Sequence, residues 1–552
     1  MKTRIFSFYI DRLILLGLAF MAALANAQTV DPPAGFAIIG HIEKFTLASP
    51  GDIRSRATVT VRGIDVILPS NLVITMPGGY LTAEQLFRGR DFKNTALGRS
   101  GLALQEVTEP DLTCPAPLAG PEKKCPLPAA EIELAGNIIP FAGTLQYVAG
   151  IARISQGALH IGSGFIRSIN PVSGFFTVGA DLGGAPASRM RLNDPEGIYG
   201  PKPDPTKPLL LDKRFALDPG NSPVHARTGF PVCLPDSARP GLCPNSNRSN
   251  NVNAANYRRF TCGASPSGVT EPVLPGCQAH LPVPLRVGDY VNYVGMLDKD
   301  DQGYFYSLHG LDAELGVYTS PGVDPAYVFI EVSIQGTMGA IWPLNATTTI
   351  PQEATSIFKL VGFTSDPGRT ISVAIFDDTA NANPLNPTLA PTRLATKIVP
   401  TNLAQLGRFK MIWAAKEDAR VVRRSVRVKL SDATAGPFNP QLAPGSSSNS
   451  MTGGLLPPGA STRSGYAFGQ YEAPISEYIS PETTRFGAKG WPVPVNFEDF
   501  CFLKIPNKIA TQELDNVSGY VQFDAEPVTP PPWAPARTRS QLKTDGTSVC
   551  GD

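Results

Sequence analysis

The sequence is poor in charged residues and carries almost no net charge. Charged residues make up 17% of the 552 residues and the formal net charge is +1, whereas an average soluble domain has about 25% charged residues. Such a balance provides no global field to attract nucleic acid or an anionic membrane. The mean hydropathy of -0.04 also argues against an integral membrane protein. We therefore predict neither a nucleic-acid partner nor a transmembrane segment in the mature chain.

Motifs of the common enzyme classes are absent from the sequence. There is no GxSxG, no P-loop, no GxGxxG before a helix and no HExxH, the motifs of nucleophilic, phosphate-binding and zinc-dependent enzymes. The histidines do not have metal-ligand spacing, so each is expected to be a surface or hydrogen-bonded side chain. They are His41, His160, His225, His280 and His309. We predict no catalytic residue, no cofactor and no metal ion.

The N-terminus contains a short apolar run. Lys2 and Arg4 precede the apolar segment Leu13–Leu24, and residues 25–27 have the A-x-A pattern of a cleavage site. This arrangement predicts a signal peptide over residues 1–27, because the alternative, a membrane anchor, needs a longer apolar run. We expect a secreted, extracellular protein, and a periplasmic or cell-surface location fits the same pattern.

The cysteine content agrees with an oxidising compartment. The eight cysteines form neighbouring pairs along the chain, and their even number predicts four disulfides and no free thiol. The pairs are Cys114 with Cys125, Cys233 with Cys243, Cys262 with Cys277, and Cys501 with Cys550. Crossed pairing among the four central cysteines is the alternative, because spacing alone does not determine connectivity.

Two aromatic-rich segments within Leu285–Leu315 predict a β-hairpin. The polar stretch between them, Asp298–Gly303, has the composition of a turn. It partly matches a calcium-binding loop, with acidic residues at the first and third positions and glycine at the sixth. His309 stands where that loop needs a bidentate acid. We therefore favour an ordinary turn and leave weak calcium binding open.

Strand-like segments that precede this hairpin fall into two groups with a similar pattern. The first group includes Gly35–Phe45 and Ala57–Pro69, and a short helix is predicted at Leu81–Arg88 with Thr82 as its N-cap. The second group begins near Gly164 and contains GFIRSI, FFTVG and SRMRLND. Because five short strands that close on themselves leave no free sheet edge, we interpret each group as a small OB-like barrel.

The chain is long enough to require several domains, because single hydrophobic cores stop growing near roughly 250 to 300 residues. Evenly spaced strands between Ala326 and Asp432 predict an immunoglobulin-like β-sandwich. The predicted fold class is mainly β: tandem small OB-like barrels, then this sandwich, with long Pro/Gly-rich loops tied by disulfides. The predicted divisions are a signal peptide at 1–27, a first barrel-like module at 28–160, a second at 161–322 with a Cys-rich insertion at 199–281, a β-sandwich at 323–435 and a loop-rich region at 436–552.

The insertion at 199–281 has no hydrophobic periodicity and is dense in Pro, Asn, Ser and Gly. A loop of this length inside a compact domain is usually functional or disordered. Its four cysteines favour an ordered excursion of the surface. We expect a binding surface here before any other part of the chain.

The segments GFIRSI, FFTVG, RMRLND and RVGDYVNYVGML, followed by a Tyr-rich strand, resemble a small secreted β-barrel domain of unknown function found in exported bacterial proteins. The resemblance covers about residues 160–315, and the long cysteine-containing insertion departs from the family's pattern. It implies a barrel fold and export, and it implies no catalytic residues.

A basic cluster precedes and enters one predicted strand of the sandwich. Arg427 and Lys429 alternate with Val426, Val428 and Leu430, so one side of the strand is expected to face the core and the other water. On an edge strand, such cations block pairing with other sheets. The functional alternative is a site for an anionic glycan or partner. The candidate residues are Arg423, Arg424, Arg427 and Lys429.

Carboxylates and sequons leave two further points open. Carboxylates from separate strands, such as Asp289 with Asp312, can pair for catalysis, although caps and turns are the more common roles. N-x-Ser/Thr sequons begin at Asn247, Asn345 and Asn516. Whether they are glycosylated depends on the host.

Together these features favour a non-catalytic exported protein, either a surface or matrix component or an array of extracellular binding modules. Its candidate partners are a polysaccharide or another extracellular protein. The alternative is a secreted hydrolase that acts on a polymer through dispersed carboxylates, so the enzyme question stays open with a preference for no activity. Acidic and histidine side chains that converge in one pocket would favour the enzyme, whereas an exposed aromatic or basic strip would favour binding.

Overall fold

A computed structural model describes much of the chain between residues 34 and 479, and the structural statements below concern those residues. The predicted signal peptide, Cys114, Cys125, Cys501, Cys550, Asn345 and Asn516 lie outside them. The described residues are 34–52, 55–69, 72, 74–77, 79–90, 98–107, 130–141, 144–154, 160–184, 186–204, 206, 212–218, 223–265, 271–336, 357–377, 392–399, 401, 406–414, 425–431, 436–437 and 467–479.

The fold is mainly β, which confirms the predicted class at this level. Within the described ranges, none of the helices has both the length and the apolar character needed to span a bilayer. Strands fall into several sheets that follow one another along the chain.

The first sheet is built from residues 34–154. Pairing follows the order β1-β7-β8-β4-β3-β2. In addition, β5 pairs with β8, and β6 pairs with β5. β4 runs parallel to β8, whereas the other neighbours on this path are antiparallel. The elements are β1 (Ala34–His41), β2 (Lys44–Leu47), β3 (Ala57–Val61), β4 (Ile64–Leu68), β5 (Ile74–Met76), β6 (Gly79–Leu81), α1 (Ala83–Leu86), α2 (Leu104–Val107), β7 (Glu131–Phe141) and β8 (Thr144–Ile154).

Local sequence signals explain two features of this sheet. Thr82 caps α1 as predicted: its side chain accepts a hydrogen bond from the Gln85 amide, and the Gln85 side chain accepts one from the Thr82 amide. The strand-like segment Ala57–Pro69 is a hairpin of β3 and β4. Arg62 and Gly63 form its turn with φ of 51° and 74°, the left-handed geometry that tight hairpins require.

The second sheet contains the predicted hairpin and the strands before it. Its order is β11-β10-β9-β17-β18-β12, and an additional parallel pairing of β11 with β18 closes five of the strands into a ring. The elements of this region are β9 (Ile161–Ile169), β10 (Phe175–Gly179), β11 (Ala187–Leu192), β12 (Val224–Ala226), β13 (Val232–Cys233), β14 (Arg259–Cys262), β15 (Val273–Leu274), β16 (Val283–Pro284), β17 (Tyr290–Asp300), β18 (Gly303–Ala313) and β19 (Gly316–Thr319), with 3₁₀ turns at Lys213–Phe215, Pro240–Leu242 and Asn245–Asn247.

The hairpin of β17 and β18 is confirmed, but its turn is shorter than predicted. Only Asp301 and Gln302 separate the two strands, so Asp298 and Asp300 belong to β17. Asp298 Oδ2 lies 2.7 Å from Nη1 of Arg90, and Asp300 Oδ1 lies 2.7 Å from Nη1 of Arg189. These two acidic residues therefore belong to a strand and form ion pairs with arginines from other elements. Their turn-like composition did not predict this role.

The insertion at 199–281 is ordered over its described residues. β12 runs parallel to β18, β13 to β16, and β14 to both β15 and β19. Disulfides join Cys233 to Cys243 and Cys262 to Cys277, so the neighbouring-pair prediction is confirmed for these four residues and the crossed alternative is wrong.

Two four-stranded sheets form the C-terminal part of the described structure. Their orders are β24-β21-β20-β29 and β23-β22-β25-β28, and residues of both enclose one hydrophobic core. The elements are β20 (Val328–Gly336), β21 (Ile357–Thr364), β22 (Ile371–Asp377), β23 (Thr392–Val399), β24 (Arg408–Ala414), β25 (Ser425–Leu430), β26 (Gly436–Pro437), β27 (Ala467–Phe468), β28 (Gln470–Pro474) and β29 (Glu477–Ile479).

Three hydrophobic cores follow one another along the chain, and a few residues cross between them. Phe215 from the insertion and Met296 from β17 pack into the first core, whose other members lie between residues 42 and 154. Phe468 packs into the second core, although it precedes β28 of the third. The first two crossings join the second region to the first core, and the third joins the C-terminal region to the second core.

Candidate functional site

A cavity of about 640 Å³ lies where residues of the three core regions meet. Strands β9, β12, β17 and β18 supply most of its wall, Pro77 comes from the first region, and β28 contributes two residues. We call it the junction cavity. None of the described residues that line it is a lysine or arginine. The lining residues are Pro77, Ile161, Gly162, Ser163, Asp218, Pro223, His225, Asn292, Tyr293, Val294, His309, Gly310, Leu311, Asp312, Tyr471 and Ala473.

A row of four polar side chains crosses the sheet along this cavity. In the strand register, Asp312 of β18 is opposite both His225 of β12 and Asn292 of β17, and Asn292 is opposite Ser163 of β9. Directly opposed residues on neighbouring strands share one face of the sheet. The pairing of four strands thus assembles these side chains, which we call the polar row, from distant parts of the sequence.

Arg227 pairs with one carboxylate oxygen of Asp312, and a side-chain hydrogen bond from Asn292 also stabilises the ionised carboxyl group. Arg227 Nη1 lies 2.9 Å from Asp312 Oδ2, whereas Oδ1 is buried and accepts no hydrogen bond from the described part of the chain. Burial raises the pKa of Asp312 to about 7, even though the charge of Arg227 acts to lower it. Near neutral pH this carboxyl can therefore donate or accept a hydrogen bond.

His225 is a neutral imidazole with an assigned tautomer. Its Nδ1 lies 2.8 Å from the backbone carbonyl oxygen of Ala226, so Nδ1–H donates there and Nε2 keeps its lone pair. The ring also packs 4.4 Å from that of Phe329, measured between centroids. Burial lowers the pKa of His225 to about 4, so the imidazole stays uncharged and acts as an acceptor at Nε2 at neutral pH.

A second carboxylate, that of Asp218, and the phenol of Tyr471 also line the cavity. Asp218 is only 4% exposed, and its charge affects the pKa of Tyr471 on β28. Burial raises the pKa of Tyr471, and the negative charges of Asp218 and Asp312 raise it further. Both carboxylates thus lie close enough to this phenol to influence its ionisation.

The rim beside the polar row is apolar and aromatic. Tyr293 lies directly over Gly162, where a Cβ would come within 2.4 Å of the tyrosine hydroxyl oxygen and 2.7 Å of Cζ. Glycine is therefore required at this position to let the ring approach the strand. Next to it, Ile161 is 64% exposed. The rim offers a ring and an aliphatic side chain to the apolar part of a ligand.

Four of the five histidines occupy two different environments. His225 and His309 line the junction cavity, and both are buried. His41 and His160 lie beside Glu131, with Nδ1 to Oε1 distances of 3.9 Å and 3.6 Å. Among the described residues, no group of three His, Cys, Asp or Glu side chains has the geometry of a metal site.

Neither Arg427 nor Lys429, the described residues of the predicted basic cluster, is among the residues that line this cavity. Lys429 is exposed on β25, Arg427 is on the same strand, and Arg423 and Arg424 lie outside the described residues. Val426, Val428 and Leu430 are buried, as the alternation predicted. β25 lies between β22 and β28, so the suggestion that these cations protect a sheet edge is wrong.

Two further sequence hypotheses have definite outcomes. The carboxylate of Asp289 pairs with Arg248, and both side chains are at most 1% exposed, so it does not pair with Asp312. Asn247 is fully buried, and its Nδ2 lies within hydrogen-bonding distance of the carbonyl oxygens of Gln278, Leu281 and Pro282. A glycan cannot be attached to this nitrogen in the folded protein.

Sequence reasoning did not identify Asp218, His225 or Tyr471 as a group. The one usable signal was the expectation that the insertion forms a binding surface, since Asp218, Pro223 and His225 all belong to it. The four cysteines drew attention to residues 233–277, whereas the cavity residues precede them.

Comparison with known proteins gives no match: no family model, no curated protein and no solved structure is significantly similar to this chain. The resemblance of residues 160–315 to a secreted β-barrel domain therefore stays a prediction.

Proposed function

We propose that this is an exported, non-catalytic binding protein that takes a compact organic ligand in the junction cavity. The observation that carries the proposal is the polar row of Ser163, Asn292, Asp312 and His225 at the cavity wall. Ligand sites typically combine an apolar pocket of 300 to 1,000 Å³ with a few convergent polar groups and perturbed pKa values, and often lie between domains. The junction cavity has each of these properties.

A cavity-filling variant tests this proposal. Ala473 lies on β28 and lines the cavity, so Ala473→Phe should reduce the available volume. Ile412→Phe is the matched control, because Ile412 is 58% exposed and is not part of the cavity lining. Ligand-observed NMR with glucose, N-acetylglucosamine and benzylamine should detect binding of at least one compound to the wild type and to Ile412→Phe but not to Ala473→Phe. Absence of binding by all three compounds to the wild type would contradict the proposal.

A polymer-acting hydrolase is the second candidate, and one observation favours it. Asp312, whose pKa burial raises to about 7, lines the same cavity as Asp218. A carboxylic acid that keeps its proton near neutral pH can serve as a general acid, and a second carboxylate can serve as base or nucleophile. Release of new reducing ends from a polysaccharide, lost in both Asp218→Asn and Asp312→Asn, would favour this candidate over pure binding.

We also propose that the first two sheets are OB-like barrels and that the two four-stranded sheets form an immunoglobulin-like sandwich. In the second sheet, five strands form a closed ring with the third strand parallel to the fifth. The first sheet repeats this path if β1 and β2 count as one bent strand, with β4 parallel to β8. The repeat supports two related modules within 28–160 and 161–322.

We also propose that the protein is exported and that it has a second site for an anionic partner. The two disulfides are consistent with an extracellular protein. The candidate anionic partner site is Arg423, Arg424, Arg427 and Lys429, of which Lys429 is exposed. If it binds a polysaccharide or an extracellular protein through charge, retention on heparin should fall in Arg427→Glu.

A further inference from the structure

We propose that the ligand of the junction cavity is a compact organic amine in its cationic form, bound through Asp312 and Asp218 and through the rings of Tyr293 and Tyr471. This inference rests on the proposed binding function and names the ligand's chemical class.

The charge argument rests on Asp312. Among the described lining residues, Asp218 and Asp312 are the carboxylates, and none is a lysine or arginine. Arg227 contacts Asp312, but it is shared with Glu314 and Glu331 at distances of 3.0 Å and 3.6 Å. One guanidinium therefore faces three carboxylates, so the ionised Asp312 carboxylate is only partly compensated and a cation would complete its neutralisation.

At one end of the polar row, His225 and Asp312 contribute hydrogen-bond acceptors. His225 uses its Nδ1–H on the Ala226 carbonyl, which leaves an acceptor at Nε2. The buried Asp312 Oδ1 accepts no hydrogen bond from the described part of the chain. An ammonium group has up to three donors and no acceptor, so it complements these atoms better than a carboxylate or a carbonyl group does.

The size and lining of the cavity limit the rest of the ligand. A volume of about 640 Å³ accommodates a small molecule. The rings of Tyr293 and Tyr471 and the side chain of Ile161 line it, and aromatic faces attract organic cations. A compact amine with an apolar or aromatic body matches both the acidic and the apolar parts of the wall.

Ionisation of Asp312 makes the affinity for a cation depend on pH. The groups around Asp312 are His225, Arg227, Asn292, Glu314, Glu331 and Tyr471. His225 stays neutral because burial lowers its pKa to about 4, and burial raises the pKa of Tyr471, so neither titrates near neutral pH. As the Asp312 carboxyl ionises, affinity for the amine should increase by up to about tenfold from pH 6 to pH 8.

The experiment is isothermal titration calorimetry of the mature chain with benzylamine, its uncharged analogue benzyl alcohol, and benzoate. We expect benzylamine to bind at least tenfold more tightly than benzyl alcohol at pH 8 and benzoate not to bind. Asp312→Asn should weaken benzylamine binding at least tenfold. Asp301→Asn is the matched control, because Asp301 is an exposed acid in the turn of the same hairpin, and it should bind benzylamine as the wild type does.

Each other outcome has a definite meaning. If glucose, N-acetylglucosamine or benzyl alcohol binds as tightly as benzylamine, and Ala473→Phe abolishes that binding, the cavity is a binding site but its ligand is not a cation. If benzylamine binds equally to the wild type and Asp312→Asn, the assignment to this wall is wrong. If none of the compounds binds, the proposed function fails together with the inference. The comparison of benzylamine with benzyl alcohol uses the wild type alone, so it remains decisive even if Asp312→Asn does not fold.

Discussion

Asp312 and His225 are opposed residues of the polar row, and burial acts on their charges in opposite directions. It keeps the Asp312 carboxyl protonated to a higher pH and the His225 imidazole neutral to a lower pH. At mildly acidic pH the folded protein therefore holds a carboxylic acid beside an imidazole. In the unfolded chain the same groups are a carboxylate and an imidazolium. Both states bind one proton, so this pair makes stability nearly independent of pH in that range.

Asp312→Asn should reveal the contribution of His225. With the carboxyl removed, only the unfolded state binds a proton at His225 between about pH 4 and 6.5. The free energy of unfolding of the variant, relative to the wild type, should therefore rise with pH by up to roughly 1.4 kcal/mol per unit. Urea unfolding at several pH values measures this difference. Asp301→Asn should run parallel to the wild type, and a parallel curve for Asp312→Asn would contradict the assigned ionisation states.

Asn247 shows how a surface motif can serve a buried role. Its Nδ2 is positioned to donate to three carbonyl oxygens, and its Oδ1 accepts a hydrogen bond from the Gln278 amide. The side chain thus replaces backbone pairing between two irregular parts of the insertion. Because the sequon depends on three residues only, the sequence alone could not distinguish this arrangement from an exposed acceptor of a glycan.

Asn247→Asp should destabilise the protein strongly. The substitution places a carboxylate against carbonyl oxygens that now have no donor, and the expected loss is about 3 kcal/mol in the free energy of unfolding. The control is Asn245→Asp, at an exposed position in the same 3₁₀ turn, which should change stability by less than about 0.5 kcal/mol. Urea unfolding of both variants measures the difference. Equal stabilities would show that the three carbonyl contacts contribute little.

At the scale of elements, the insertion contributes β12 and other residues to the cavity wall, and two disulfides cross-link the insertion. β12 has only three residues, and it becomes a strand because it pairs with β18. Cys233 belongs to β13, which follows β12 closely, whereas Cys262 ends β14 on the far side of the insertion. The two disulfides therefore lie at different distances along the chain from the cavity residue His225.

Removal of one disulfide at a time should separate stability from binding. Alanine at both Cys262 and Cys277, which are 15 residues apart, should cost about 3 kcal/mol of stability and leave benzylamine binding unchanged. Alanine at both Cys233 and Cys243 should lower stability by a similar amount and also weaken binding, because it frees the chain next to β12. Thermal unfolding and calorimetry measure the two effects. Equal binding losses in both double variants would contradict this division.

The elements differ in how far the sequence could predict them. β17 and β18 were predictable because their aromatic and β-branched residues lie in two local runs joined by polar residues. β12 was not, since three residues are too few for periodicity and its strand form depends on a partner far along the chain. The same reason applies to the cavity: Asp218, Asp312 and Tyr471 come together only through sheet pairing and packing between regions. Asp298 and Asp300 were assigned to a turn because their arginine partners are distant in sequence.

At the scale of the whole molecule, a short segment of the insertion connects the first two cores. Phe215 packs into the first core, and Arg214 donates from Nη1 to the carbonyl oxygens of Leu86 and Ser100 at 2.9 Å and 2.6 Å. Arg214 also pairs with Asp212 at 2.7 Å, and its side chain is 3% exposed. Asp218 follows four residues later, so this connection also positions one carboxylate of the junction cavity.

Arg214→Met should therefore affect both the coupling of the cores and the ligand site. It leaves the Asp212 carboxylate and two carbonyl oxygens without their buried donor, and loss of one partner of a buried ion pair typically costs about 3 to 5 kcal/mol. Because the first two cores then lose a shared anchor, urea unfolding should change from one transition to two. Arg259→Met is the control: the Arg259 side chain is 53% exposed, although its partner Glu271 is only 9% exposed, so its loss should cost less than the loss of the buried Arg214. Benzylamine binding should weaken in Arg214→Met and not in Arg259→Met. A single, unshifted transition in Arg214→Met would mean that the cores are coupled mainly by apolar contacts such as those of Phe215.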